Sequence, residues 1–385
     1  MAASYTRNYT AGPDSIIHAG ISAGAFSSSI QLENTSVLGS FAGYVLPTWA
    51  QSLSVGVWGE IAGTAHIEFN TPAGMNMNAY CDMTLRPSDS SLLVVAAGGH
   101  ADGSSNGAIS LRLSDNAPSW EVRRTSSWNG VEENILYYAD GTPCSRHTYH
   151  HTHYIENLDA VLLAGCRFGW RNLTPTGPGM DLFDLSTNQY LPRYTYPDIS
   201  PWPTANYGVA QDGEGHIWTM AGYKFNVDTL TWSKPGSGSL LRYPCAYDSI
   251  RNRIFGIQFG NGEGDDPQLG VQARELNPAT GNSVNITFNT SAAFTQFAAD
   301  TPDYAGMAYC PLDGKFYFLH PGRMGTFYVI TPNAGTTWDM ATLTPGGVST
   351  TSSGLLCKRL LWVDALGGFV LQSNATQNLR FLRMA

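Results

Sequence analysis

The feature that most constrains this chain is a module that recurs along it. The module is an apolar strand, a tight turn rich in Asp, Asn and Gly, and a second apolar strand ending at glycine or at a polar break. Six copies are legible: Cys81–Gly99, His151–Cys166, Tyr207–Tyr223, Cys245–Gly260, Met307–Gly322 and Leu360–Asn374. Their second strands open at Leu92, Val161, Ile217, Ile254, Phe316 and Phe369, at intervals of 37 to 69 residues. Two strands and a turn cannot bury an apolar face alone, so such modules must stack on one another.

Between the copies lie further strand candidates, among them GAISLRLSD, GMDLFDLSTN, YKFNVDTLTW, VQARELNPATGNSVNITF and TFYVITPNAGTTW. Each couples a short strand to a turn that often leads to an aromatic residue, and Trp120, Trp232 and Trp338 fall at that place. Four short antiparallel strands per module, recurring about six or seven times, predict an all-β chain folded as a β-propeller. A β-sandwich or jelly roll with long loops is the competing architecture. No apolar stripe of helical period runs beyond about two turns, and 41 glycines oppose long helices. The last module stops after roughly three strands, at NLRFLRM. An N-terminal strand, from Gly43–Trp49 or Ser54–Ile61, is therefore expected to complete it and close the ring, which removes exposed edges. The chain divides accordingly into residues 1–70, an N-terminal arm with the closing strand and the Gly/Ser/Ala-rich stretch Ala19–Ser29, and residues 71–385, the propeller.

Composition narrows the function. Only 13% of the 385 residues are charged and the net charge is −9, so a surface built to grip phosphate backbones is disfavoured. No apolar run approaches the roughly 18 residues of a membrane span; the longest are pieces such as Leu92–Ala97. The N-terminus, MAASYTRNYT, lacks a basic region followed by an apolar segment, so no secretory signal is expected. The six cysteines are widely spaced with no CxxC, which reads as buried free thiols in a protein made in a cytoplasm.

The conspicuous chemical constellation is RHTYHHTHY, Arg146–Tyr154. On a strand, His147, Tyr149, His151 and His153 would project to one face. His151 and His153 form an H-x-H pair able to grip a metal from two points, with a third ligand required from elsewhere, such as His100, Asp102 or His216. Histidines satisfied within the strand are the structural alternative. No P-loop is present, and the acidic loop GNGEGDD (Gly260–Asp266) lacks the length and terminal Glu of an EF-hand, so no cofactor is expected. Trp202, between two prolines, is a residue type that stacks on sugar rings and equally one that caps a sheet.

Gly98, Gly99 and Trp120 resemble the Gly-Gly pair and outer-strand Trp of kelch repeats, without the intervening aromatic. The other modules keep one glycine each (Gly165, Gly222, Gly260, Gly322), a degenerate kelch-like pattern over roughly residues 75–385. The block GGHADGSSNGAISL followed by SRHTY also resembles kelch-like proteins encoded by bacteria and their phages. This resemblance implies a structural virion protein, of the kind that forms a ring below the portal in short phage tails as a nozzle. The implied partners are other copies of the chain and neighbouring tail proteins, with DNA only in passage. The implied location is the virion, assembled in the host cytoplasm. An acidic lumen would let DNA slide through. The alternative is a propeller that binds or cleaves an acidic surface polysaccharide. A lyase of that kind would use His147 and Tyr149 as base and acid, Arg146 to neutralise the uronate, and His100 beside them.

Overall fold

A computed structural model describes residues 45–66, 75–78, 80–98, 103–128, 130, 135–164, 180–193, 195, 208–242, 244–259, 270–300, 304–347 and 355–385. Each sequence module becomes an antiparallel meander. The first runs Thr84–Arg86, Ser91–Val95, Ala108–Arg112, Trp120–Arg124, and the second Thr152–Ile155, Ala160–Ala164, Met180–Asp184, Gln189–Tyr190. The third runs Val209–Gln211, Ile217–Thr219, Lys224–Asn226, Thr231–Ser233. The fourth (Cys245–Asp248, Arg253–Phe259, Val271–Asn277, Asn282–Phe288) and the fifth (Gly306–Cys310, Lys315–Leu319, Phe327–Thr331, Thr337–Leu343) join into one eight-stranded sheet. They join at their outermost strands by a parallel pair, Thr287 opposite Thr337 and Phe288 opposite Trp338. The last module is Leu360–Val363, Gly368–Leu371, Arg380–Arg383. All six residues expected to open second strands lie in second strands, and Trp120, Trp232 and Trp338 lie in fourth strands.

The turn chemistry explains the recurrence. A residue one or two positions before every second strand is left-handed: Ser90, Asp159, Gly215, Asn252, Gly314 and Gly367. Asp, Asn and Gly adopt that conformation at least cost, which is why the turns are rich in them.

Of the two candidate closing segments, Ser54–Ile61 carries a strand. Val57–Glu60 runs antiparallel to Arg380–Arg383, with Trp58 opposite Leu382 and Glu60 opposite Arg380. In the other segment, Thr48 begins a single helical turn, Thr48–Gln51. Gly346–Gly347 adds a further strand, parallel to Val57–Trp58.

The second strands read as unbroken apolar runs because both of their faces are buried. Leu92 and Val94 pack with Val363, Val370 and Phe381 of the last module, whereas Leu93 and Val95 pack with Val161, Leu163 and Phe183 of the second. The alternation continues: Ile155 with Ile217, Trp218 with Ile254, Phe255 with Phe316, and Tyr317 with Phe369 share clusters between successive modules. Each buried Leu, Val or Phe contributes about 1.5–3 kcal/mol. The architecture is all-β and propeller-like.

Two of the kelch-like glycines have a steric reason. A Cβ on Gly98 would stand 2.5 Å from the Gly103 carbonyl oxygen, and one on Gly222 would stand 2.0 Å from that of Gly238. Gly99, Gly165 and Gly260 lie outside the described residues. A nine-residue helix, Ala292–Asp300, was not foreseen; its buried Phe297 meets the rings of Phe318 and Tyr328 at 5.0 and 5.1 Å.

Candidate functional site

The segments leading into the opening strands of the first, second, fifth and last modules make a sharp left-handed step. Tyr80, Tyr149, Tyr304 and Cys357 have φ of 50°, 46°, 48° and 44°. Each stands six residues ahead of the last residue of its strand, respectively Arg86, Ile155, Cys310 and Val363. A non-glycine residue held there costs roughly 1–3 kcal/mol, so neighbouring structure must enforce it. Backbone bonds do so in part: Tyr149 N–H donates to Tyr80 O at 2.8 Å, and Cys357 N–H to Tyr304 O at 3.0 Å.

The repeated step carries side chains distant in sequence to one point. Ring centroids are 5.5 Å apart for Tyr80–Tyr149, 5.1 Å for Tyr80–Tyr304 and 6.5 Å for Tyr149–Tyr304. Cys357 belongs to the same cluster. His147 stacks on Tyr80 at 4.7 Å, and its Nδ1 lies 3.3 Å from Tyr149 Oη. Tyr149 and His147 are buried, while Tyr80 and Tyr304 are half-buried. Desolvation pushes the Tyr149 hydroxyl far above the ordinary range for tyrosine.

Behind the aromatic cluster sits a polar one. Asp82 N–H donates to Thr148 Oγ1 at 2.9 Å, and Thr152 N–H donates to Asp82 Oδ2 at 3.0 Å. Lys358, from the last module, donates to the Thr152 carbonyl and lies 3.4 Å from His153 Nδ1. Burial raises the Asp82 carboxyl to about 6 despite the attraction of Lys358. Burial lowers Lys358 to about 8, with Asp82 resisting. Desolvation also brings His150 down to about 3 and His153 well below its ordinary value, with Lys358 adding to both. His150 and His153 are neutral at pH 7.

Two sequence expectations need correcting. Residues 147–151 are not part of a strand, which begins at Thr152; the left-handed Tyr149 breaks the alternation, so His147, Tyr149, His151 and His153 do not line one face. His147 and Tyr149 still meet each other and Tyr80, whereas His153 turns to Lys358. Arg146 is also not placed as a cation beside His147. Its Nη2 donates to Asp181 Oδ2 at 2.9 Å in an ion pair whose side chains are 1% and 2% exposed. Tyr137 Oη donates to the same carboxylate at 3.2 Å.

Among the described residues, no group of three or more His, Cys, Asp or Glu is arranged to hold a metal. His216 is held within its own module: Val227 N–H donates to its Nδ1 at 3.2 Å, and its Nε2 lies 3.0 Å from Glu214. His100, Asp102, Trp202 and the acidic loop 260–266 lie outside the described residues. Cys81, Cys144, Cys310 and Cys357 are buried and Cys245 is partly buried; desolvation raises the Cys81 and Cys245 thiols to about 12, leaving them unreactive. Among the described residues no helix is long and apolar enough to cross a membrane.

Sequence reasoning missed Tyr80, Asp82, Tyr304, Cys357 and Lys358. The available signal was positional, a Tyr or Cys at a constant offset ahead of the opening strand.

No family model and no curated protein matches the chain. Among solved structures, an auxiliary nutrient binding protein from Bacteroides thetaiotaomicron is similar over 84% of this chain and 75% of its own, at 9% identity and a TM-score of 0.46. YjhT is similar over 78% of this chain and 93% of its own, at 9% identity and a TM-score of 0.46. A fungal alcohol oxidase of the AA5 family, in complex with copper, matches 78% of this chain at 13% identity and a TM-score of 0.45, and the chain spans 61% of its length.

Proposed function

We propose that this chain is a structural component of a bacteriophage virion: a six-bladed, kelch-like propeller of a short tail, set in a ring with copies of itself beside neighbouring tail proteins. The observation that carries the reading is how the His/Tyr set is used. His147, Tyr149, His151 and His153 are buried, and Tyr80, Tyr149 and Tyr304 touch one another from the first, second and fifth blades. Side chains packed in this way hold blades in place instead of meeting a polymer. In this reading Val57–Glu60 closes the last blade, and the core shared by the first and last blades completes the disc.

The surface suits lateral contact. Val122 and Val284 on outer strands and Ile250 and Leu312 on turns are exposed, and charge is scarce. With the axis occupied by tyrosines, DNA would pass through the lumen of the assembled ring and not through a single propeller. A net charge of −9 would keep phosphates from sticking there. The rival, a polysaccharide lyase, is tested by incubating the protein with uronate polymers and following absorbance of the unsaturated product. The structural reading predicts no product from the wild type. Product formation abolished by His147→Ala would overturn it.

A further inference from the structure

The outermost strands of the modules do not end alike. In the fourth and fifth modules they pair with each other, and Val57–Glu60, outermost in the last, carries Gly346–Gly347. Among the described residues, the outermost strands of the first three modules end their sheets. Those of the second and third are two and three residues long, Gln189–Tyr190 and Thr231–Ser233. That of the first, Trp120–Arg124, has five residues, enough to hold a further strand.

Its side chains leave that edge open: Glu121 and Val122 are exposed, Val122 to 51%. An unpaired edge is a template for another strand, and charge is a common means of blunting it. Here the charges are ordered so that they guide pairing. Arg123 Nε donates to Ser110 Oγ at 2.9 Å, and Ser110 stands opposite Glu121, so Glu121 and Arg123 share one face of the sheet. They flank Val122 with opposite signs. A second copy laid antiparallel about Val122 sets each Glu121 opposite the partner's Arg123, and Val122 opposite Val122. A parallel copy in register would instead set glutamate on glutamate and arginine on arginine. The ladder to Ala108–Arg112 slips by one residue past Val122, a bulge that bends the strand and keeps the new pair short.

We propose that Trp120–Arg124 is a contact between copies of this chain: two copies join edge to edge as an antiparallel pair of these strands, centred on Val122, with Glu121 of each facing Arg123 of the other. The contact rests on the reading that copies of the chain meet, and it names the strand through which they do. It is two-fold, and each copy has one such edge, so a ring that contains it holds an even number of copies.

Val122→Cys tests the contact, because the position is exposed and the two-fold brings it opposite itself. Paired residues of antiparallel strands have Cα atoms about 4.5–5.5 Å apart, within the span of a disulfide. Under mild oxidation this variant should form a covalent dimer about tenfold faster than Val284→Cys, also exposed on an outer strand, with the wild type as blank for the native thiols. Adding Glu121→Arg or Arg123→Glu to Val122→Cys should slow the reaction, since like charges then face each other. Mixing those two double variants in equal parts should restore it, since opposite charges meet again. Crosslinking no faster at position 122 than at 284 overturns the contact, and so does a rate that neither charge change moves or that the mixture fails to restore. Sedimentation of the wild type distinguishes the contact from the ring: an oligomer without the crosslink at 122 refutes the strand pair and leaves the ring, while a monomer at every concentration refutes both.

Discussion

Between the fourth and fifth modules, Phe255 lies 4.8 Å from both Phe316 and Trp338, and Ile257, Phe318 and Ile330 complete a dry cluster. Where the last module meets the first and second, the nearest groups are instead Asp82, Lys358, Thr152 and His153, capped by tyrosines in left-handed conformation. The two regions perform the same mechanical task, holding neighbouring sheets face to face. Their energetics differ. The aromatic seam draws on area removed from water, which is insensitive to pH and tolerant of small shifts. The polar joint depends on geometry and protonation, and it costs stability when either is wrong. A joint between the last module and the first two has reason to use the more exacting chemistry, because a misplaced module would otherwise find an equally apolar partner.

The comparison can be broken most severely at the closing strand. Deleting residues 45–60 removes the antiparallel partner of Arg380–Arg383, so the cooperative unfolding transition should be lost in urea denaturation. Next comes the aromatic seam. Trp338→Ala empties a site 1% exposed and should cost about 3–5 kcal/mol, by the same amount at every pH from 5 to 9. Lys358→Met acts on the polar joint, leaving Asp82 without its neighbouring cation. It should cost about 2 kcal/mol at neutral pH, and the combined Lys358→Met and Asp82→Asn variant should lose less than the sum of the single changes.

Titration sharpens the contrast. Lys358 sits near 8 when folded, below its ordinary 10.5, so through this group the unfolded chain holds more protons between those values. Lys358 therefore contributes a rise in stability from pH 8 towards 10, opposed from about pH 9 by the desolvated Cys81 and Cys245 thiols, raised from 9.0 to about 12. Above pH 10 the buried Tyr149, which ionises far less readily than in the unfolded chain, reverses the trend. The alkaline rise should vanish in Lys358→Met. On the acid side the signs oppose. His150, near 3 instead of 6.5, loses stabilisation as pH falls below 6.5, while Asp82, near 6 instead of 3.8, gains it as pH falls from 6 to 3.8. Asp82→Asn should therefore make the acid loss steeper, as measured by thermal melts between pH 6 and 4. The smallest effect is expected outside both regions. Val122→Ser, on an exposed outer strand, should change stability by no more than about 0.5 kcal/mol while weakening self-association in sedimentation.

The modules were legible because their causes are local. An Asp, Asn or Gly in left-handed conformation before the second strand leaves a compositional mark, and a strand buried on both faces reads as an unbroken run such as LLVV or VLLA. The strand Val57–Glu60 that completes the last module followed from counting strands in it. The candidate site was only half legible. Arg146–Tyr154 announced itself by composition, but its geometry depends on Tyr80 and Tyr304, far away in sequence, and on a turn at Tyr149 that upsets the simple alternation. Arg146 has the right charge for a carboxylate ligand, yet its partner Asp181 lies in the third strand of the second module, where no local pattern marks it. Lys358 stands in an ordinary stretch, and only the meeting of the second and last modules brings it to His153.

Native mass spectrometry of the purified chain, at physiological ionic strength and micromolar concentration, tests most directly whether the molecule is an architectural unit. A single discrete multiple of 41.6 kDa, consistent with a ring, is the expected spectrum. A spectrum containing only the 41.6 kDa species over that range would contradict the account.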